Sequence, residues 1–287
     1  MSFRILTNVP SLQAQRSLSK VNNNLQSNFE RLSSGSRINK AADDAAGLAV
    51  SEGLKAKERG LNQAKRNAND GISILQVAEG SMQEMGNIML RLKELNVQAA
   101  SDSISDKERS FLNKEYTQLV GELDRISNST EFNGIKLMDG SKEDLALQVG
   151  DTNDPNSVIT FDLGEFNMNS EVLGLGTDAE IGPTSVDGTG PSREAIAENL
   201  GKIDEALTKI STARSYIGSV QSRLQSAINN IEVSVENTAA SASRIKDTDF
   251  AEETASLAQN RILSQAATSV LSQANYAPES ALQLLRG

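Results

Sequence analysis

The chain has 287 residues, 38% of them hydrophobic and only 3% aromatic, with no tryptophan. This composition is too poor in large side chains for a big globular core but is sufficient for long helices packed side by side. It has neither cysteine nor histidine, which removes disulfides, thiolate nucleophiles, zinc sites of the usual N/S type and triads built on a histidine base, so no enzyme activity and no cofactor is expected. The net charge of −10 lies in residues 131–190, where twelve carboxylates face only Lys136 and Lys142; residues 1–40 carry +5 and residues 247–287 carry −3, so the ends are complementary and the middle repels nucleic acid.

Residues 1–10 include Arg4 but no apolar run of signal-peptide length, and no stretch reaches 18 apolar residues, so neither a cleaved leader nor membrane insertion is expected. Over residues 12–32, Leu18, Val21, Leu25, Phe29 and Leu32 recur at steps of three and four among many Asn, Gln and Ser, the pattern of an amphipathic helix with a thin stripe. Ser33, Ser34, Gly35 and Ser36 then carry helix-ending chemistry and read as a plain loop.

Residues 43–100 read as one long helix, opened by Asp43 and Asp44 at the N-cap. Its seam steps from Gly47 through Val50, Leu54, Leu61, Ala64, Ala68, Gly71, Leu75, Ala78, Met82, Met85, Met89, Leu92 and Ala99, broken badly only at Lys57 and Asn96. Such a helix would be roughly 80 Å long, which makes the expected molecule a rod whose seam needs partners. Met82, Met85 and Met89 sit in register with the seam, which favours core packing over an adaptable binding patch.

Ser105 to Glu108 form a capping box, and Phe111, Leu112, Tyr116, Leu119, Leu123 and Ile126 give the helix that follows one apolar face, so the two helices form an αα-hairpin. Asn133-Gly134 between Phe132 and Ile135 signals a tight turn, and residues 146–149 and 158–163 alternate as short strands. Residues 164–190 are rich in Gly, Asp and Thr and read as loop, so residues 152–188 are expected to tolerate deletion. Pro191 suits the first turn of a last long helix, whose seam steps from Ile196 through Leu200, Ile203, Leu207, Ile210, Arg214, Ile217, Gln221, Leu224, Ile228 and Ile231. Residues 247–250 break it. A terminal helix follows on Leu257, Leu263, Ala267, Val270 and Ala274, which Pro278 bends or restarts before Leu282, Leu284 and Leu285. The fold class is therefore mainly α: an elongated, coiled-coil-like rod of long helices with a small β-hairpin region. Leu75, Met82, Leu207, Ile217, Leu224 and Ile231 are its expected core.

Partial motifs carry little. Asp151 to Asp154 hint at a calcium loop, but the positions that an EF-hand would fill with Gly and Glu hold Asn156 and Asp162, and a turn is the better reading.

Four blocks are more specific. Leu32-Ser33-Ser34-Gly35-Ser36-Arg37-Ile38-Asn39, Ala41 to Ala49, Gln63 to Ser73 with Ala78-Glu79-Gly80, and Thr268 to Asn275 stand in an order and spacing that resemble bacterial flagellin, over about the first 140 and last 95 residues. The resemblance implies a structural subunit that polymerises into the helical flagellar filament for motility. It also implies export, unfolded, through the flagellar secretion channel, and a secreted location in the filament, whether naked, sheathed or periplasmic. It divides the chain into an inner-tube domain (residues 1–42 and 247–287), a helical shaft (43–130 and 191–246) and a short outer hairpin region (131–190), with residues 31–40 as the spoke between the first two. Inner-tube assembly then falls to Leu18, Val21, Leu25, Phe29, Leu32, Leu257, Leu263 and Val270.

The implied partners are copies of the chain itself or other flagellins, an export chaperone at Leu282, Leu284 and Leu285, the export gate, and the filament cap and hook-junction proteins. The positions that vertebrate innate receptors contact correspond to Arg91, Leu95 and Glu115, expected to be exposed. A hook-filament junction protein or a coiled-coil component of a secretion apparatus are the alternative readings; the intact block from Gln63 to Gly71 favours flagellin.

Overall fold

The structure, a computed structural model, describes residues 7–176, 181–182 and 193–286, the side chains of Arg193 and of residues 277–286 excepted. Five long helices dominate it: α1 (Val9–Ser34), α2 (Ala45–Ala99), α3 (Asp106–Ser129), α4 (Arg193–Lys246) and α5 (Phe250–Arg286). Two antiparallel hairpins lie between α3 and α4, β1 (Glu131–Phe132) with β2 (Ile135–Lys136), and β3 (Asp144–Gln148) with β4 (Val158–Asp162). Packing divides the chain into two compact units, residues 59–235 and residues 1–58 with 236–287, and the division falls inside α2 and α4. The fold is mainly α, as its periodicities imply. Pro191 lies outside the described residues, and α5 continues through Pro278 rather than restarting there.

In the unit of residues 59–235, the α2 seam is buried as its spacing predicts, from Leu61 through Ala68, Leu75, Met82, Met85, Met89 and Leu92 to Ala99. Asn96, expected to break the seam, is buried in it; with its amide turned to suit, the nitrogen donates to the Ile196 carbonyl at 2.8 Å. Antiparallel α4 is held along α2 by Lys93 to Asp204 at 2.6 Å, Gln221 to Glu79 at 3.2 Å and Lys65 to Glu232 at 2.6 Å.

The α4 seam differs in phase from the expected one. Ile196, Ile203, Ile210, Ile217 and Leu224 are buried, but the positions between them are Asn199, Ala206, Ala213 and Val220. Leu200 and Leu207 are only half-buried, Arg214 is exposed and Gln221 sits at the seam's edge. Alanine contributes little to a hydrophobic pattern, so a residue-by-residue reading prefers the adjacent leucines, whereas a small side chain in the seam lets helices approach closely. Ile231 packs with Leu61 and Ala64 in a smaller cluster that Val235 flanks.

Helix α3 starts on the predicted capping box: the Ser105 side chain accepts from the Glu108 amide, and the Glu108 carboxylate accepts from the Ser105 amide at 2.9 Å. Tyr116 and Leu123 are buried, Leu112, Leu119 and Ile126 are half-buried, and Phe111 turns outward with the Lys114 ammonium 5.9 Å over its ring. In the β1–β2 turn, Asn133 and Gly134 both take positive φ, 50° and 78°, as the Asn-Gly signal requires.

Strand pairing sets Leu145 opposite Phe161 and Leu147 opposite Ile159, so one face of the β3–β4 hairpin is apolar while its other face carries polar side chains. That apolar face docks on the helices. Leu147 lies over Gly71 so closely that a β-carbon there would collide with its Cδ1, the Asn67 amide donates to the Gln148 carbonyl at 3.0 Å, and the Tyr216 hydroxyl accepts from the Asp162 amide at 3.2 Å. The hairpin is a wall of the core.

The segment after β4 departs further from expectation. Phe166, Met168, Leu173, Leu175 and Ile181 are all buried in the same core. The Ser170 amide and hydroxyl donate to Asp124 at 2.8 Å each, and the Ile181 amide donates to Asn113 Oδ1 at 3.1 Å. Gly182 lies so close to the Arg109 carbonyl that a β-carbon would collide with it. Its Gly, Asp and Thr content hid widely spaced apolar anchors, which have no helical or strand period because the segment is built of turns.

Three outcomes follow from this packing. Ile217→Asp, at a position with no solvent exposure, should destabilise the chain by about 3–5 kcal/mol, since it buries an unpaired charge; a circular-dichroism melt at the original temperature would contradict the buried seam. Deleting residues 164–182 should not be tolerated as the sequence suggests, because each large side chain removed from a core costs about 2–5 kcal/mol; a deletion variant with an unchanged melt would show that the segment is dispensable. The Ser105 amide and hydroxyl hold the Glu108 carboxyl below its ordinary value, so its contribution is present above that value and is lost as pH falls through the depressed pKa. Protection of the amides at the start of α3, taken relative to their intrinsic exchange rates, should fall as pH drops through the depressed pKa of Glu108, and Glu108→Gln should remove much of that dependence.

Candidate assembly interface

In the unit of residues 1–58 and 236–287, the chain's two ends meet. Asn8 caps α1 by accepting from the Ser11 amide at 3.1 Å, with Pro10 in the first turn. Gly35 ends the helix in the left-handed conformation at φ 69°, and its amide returns to the Arg31 carbonyl at 2.8 Å. The stretch that reads as a loop is tied down. Ser36 bridges Asp247, the Arg37 amide donates to the Lys246 carbonyl at 2.7 Å, and the Thr248 amide donates to the Gly35 carbonyl at 3.0 Å. The Arg37 guanidinium donates to the Ile245 carbonyl at 2.9 Å, placing a cation where the last carbonyls of α4 concentrate negative charge.

Both N-cap candidates are used. Asp44 accepts from the Gly47 amide at 2.9 Å and starts α2, while Asp43 closes the preceding turn through the Asn39 and Lys40 amides, at 3.0 and 2.9 Å. Those two amides hold the Asp43 carboxyl below its ordinary value. The Lys40 ammonium, 2.8 Å from Glu30, is held above its own by that partner.

Helices α1 and α5 pack antiparallel along most of their length. Asn8 Nδ2 donates to the Ala274 carbonyl at 2.8 Å, Ser11 Oγ to Asn275 Oδ1 at 2.7 Å, and Ser264 Oγ to Asn22 Oδ1 at 3.4 Å. Nearer the other end, Asn28 Nδ2 donates to Glu253 Oε1 at 2.6 Å and Asn260 Nδ2 donates to Asn28 Oδ1 at 3.0 Å. The Arg261 guanidinium stacks 5.5 Å over the Phe29 ring.

The pair covers only part of its own stripe. Leu18, Val21, Leu25, Leu32 and Leu257 are half-buried, but Phe29, Leu263 and Val270 remain 49%, 43% and 58% exposed. Val9, Leu12, Phe250, Ile262 and Tyr276 are exposed as well, positions that the three-four pattern had not singled out. An apolar groove runs between Pro10, Ala14, Val21, Leu263, Ala267 and Val270. The buried polar zipper had no clear sequence signal, because Asn and Ser on a thin stripe read as breaks in it. Leu282, Leu284 and Leu285 belong to the last turns of α5, and their side chains lie outside the described residues.

In the other unit the three residues matched to receptor contacts separate. Arg91 donates to Glu115 through Nε and Nη2 at 3.0 and 2.7 Å and to Glu94 through Nη1 at 3.0 Å; these carboxylates, Glu115 foremost, raise the guanidinium above its ordinary value. Leu95 is not exposed: it has no solvent exposure and belongs to the core, because α3 covers that face of α2.

Comparison with known proteins identifies the family. Residues 5–143 match the bacterial flagellin N-terminal helical region and residues 200–285 the bacterial flagellin C-terminal helical region. The chain is 39% identical to a flagellin of Halalkalibacterium halodurans over 97% of its length and 98% of that protein. It is 40% identical to the flagellar filament 33 kDa core protein of Treponema phagedenis, again over 97% and 98%, and 40% identical to a flagellin of Bacillus subtilis over 99% and 100%. A putative flagellar hook-associated protein from Vibrio parahaemolyticus shares the fold at a TM-score of 0.58 and 14% identity, over 71% of this chain and all of that one. The chain belongs to the bacterial flagellin family, whose members are structural proteins, and is a self-polymerising subunit of the flagellar filament.

Proposed function

We propose that the α1–α5 pair is the inner-tube element of the filament and that Leu18, Val21, Leu25, Phe29, Leu32, Leu257, Leu263 and Val270 are its assembly contacts. The observation that carries this reading is the apolar surface left uncovered on that pair: Phe29, Leu263 and Val270 lie on helices that already face each other and stay exposed among the described residues, a surface suited to neighbouring subunits. Residues 43–130 and 191–246 then form the shaft, residues 131–190 its outer region, and residues 31–40 the spoke. Open helical polymers need heterologous contacts that do not close into a ring, and two ends of opposite charge, +5 and −3, suit that geometry.

Secretion to the outside of the cell and export in an unfolded state fit the same surface. A pair of helices this poor in buried area orders fully only where neighbours cover it, which leaves the ends free to be threaded. Leu282, Leu284 and Leu285 are the residues for an export chaperone, ahead of the export gate and of contact with cap and hook-junction proteins. For a vertebrate innate receptor, Arg91 and Glu115 offer an exposed charged pair; Leu95 is withdrawn from that set, since reaching it would require opening the core.

The deciding experiment removes residues 257–287. The truncated chain should retain the cooperative melt of residues 59–235 yet form no filaments under seeding, and limited proteolysis of the intact monomer should stop near residues 42 and 247. Truncated chains that grow normal filaments would overturn the inner-tube assignment.

A further inference from the structure

The α1–α5 pair carries a polar cluster that its packing does not require. Asn28 is 7% exposed and Glu253 is 9% exposed, so both are buried on helices whose apolar residues are largely half-covered. Both polar atoms of the Asn28 side chain are engaged across the pair: its nitrogen donates to Glu253 and its oxygen accepts from Asn260. Arg31, one turn on, places its guanidinium 3.7 Å from the other Glu253 oxygen. Glu253 and Asn260 are seven residues apart, so they project from one face of α5, two turns apart, and Asn28 bridges them. Two leucines there would bury more apolar area; a fixed relation between residue 28 and residues 253 and 260 would be lost.

We infer that the Asn28–Glu253–Asn260 cluster, with Arg31, is a register lock that selects one antiparallel alignment of α1 on α5 during assembly. The remaining stripe does not discriminate. Leu18, Val21, Leu25, Phe29 and Leu32 against Leu257, Leu263 and Val270 are similar in size and spacing, so a slip of one heptad still sets apolar residues against apolar residues. It would set Glu253 opposite Val21 or Gly35 in place of Asn28, and opposite Asn24 or Ile38 in place of Arg31, so the carboxylate loses its short amide hydrogen bond and its cationic partner in either direction. A carboxylate without its donors costs far more than the apolar differences between registers, and this asymmetry makes buried polar groups effective selectors of alignment. The inference rests on the reading that these helices pair in the filament.

Because the chain contains no cysteine, introduced pairs report register without background. Asn22→Cys with Ser264→Cys joins residues that face each other across the pair, at 3.4 Å between their side-chain oxygens. Gln15→Cys with Ser264→Cys, and Asn22→Cys with Leu271→Cys, report slips of one heptad in either direction, about 10 Å along the helix and too far for a disulfide at the native alignment. The full chain is polymerised, oxidised, and scored for intrachain cross-links on a denaturing gel. Filaments should give the 22/264 cross-link at least about tenfold over either slipped pair. Glu253→Gln, which can still accept from Asn28, should keep that ratio. Asn28→Leu with Glu253→Leu should let the slipped pairs rise to within about threefold of the native one. If this double variant does not assemble while Glu253→Gln does, the lock is again supported, since leucine increases apolar burial and removes only the polar contacts of the cluster, and Glu253→Gln shows that loss of the charge alone is tolerated. A double variant that keeps the native ratio overturns the lock, as does loss of assembly in Glu253→Gln. Absence of the 22/264 cross-link in filaments of the chain without changes at 28 or 253 would instead overturn the pairing itself.

Discussion

Two helices from opposite ends of the chain cover only part of each other's apolar surface, and the proposed assembly rests on this constraint. The stripes of α1 and α5 are narrow, interrupted by Asn, Gln and Ser, and many of their largest side chains still face solvent after pairing. Completing the burial of a half-exposed Leu, Val or Phe is worth roughly 1 kcal/mol. A single such gain decides nothing, but a helical polymer repeats it at every subunit. In the proposed inner-tube reading, that uncovered surface supplies the driving force for growth, and the same segments are loose before assembly and ordered after it.

The unit of residues 59–235 solves a different problem. It must be stable on its own without tryptophan and with few aromatic residues, and it does so by lining methionine, leucine and isoleucine seams with alanine and glycine so that backbones approach closely. Gly71 admits Leu147 of the β3–β4 hairpin, and Ala206 and Ala213 alternate with Ile203, Ile210 and Ile217. The acidic middle of the chain takes part in this core. Leu145, Ile159, Phe161 and Phe166 point inward while Asp151, Asp154, Glu165 and Glu171 are exposed, so its surplus of negative charge stays in water and costs little desolvation.

Much of this was legible in the residues. Capping chemistry at Ser105–Glu108 and Asp44, the Asn-Gly turn at 133–134 and the α2 seam from Leu61 onward each rest on a local rule that tertiary context does not overturn, whereas Val50, in the same predicted seam, is exposed. What escaped were features fixed only by packing. The seam of α4 shifts because alanine is a weak signal beside leucine, although Ala206, Ala213 and Val220, three positions seven residues apart, were there to be counted. Residues 166–181 hide their anchors in turns that have no period. Leu95 lies beside the seam position that Asn96 takes, yet it also steps by three from Leu92 and by four to Ala99, an apolar alternative that the seam through Asn96 passed over. Among the terminal helices, Asn28 and Glu253 carry no signal when each helix is taken alone; only when α1 and α5 are set side by side do they become partners.

The central claim is that the two ends complete their burial only against neighbouring subunits, and amide hydrogen exchange on monomer and filament tests it most directly. Residues 9–34 and 250–276 should exchange within seconds to minutes in the monomer and become strongly protected in the filament, by at least about a hundredfold, while the seams between residues 61 and 231 are protected in both. Equal protection of the terminal helices in monomer and filament would contradict the account, because it would mean that α1 and α5 need no partner beyond each other.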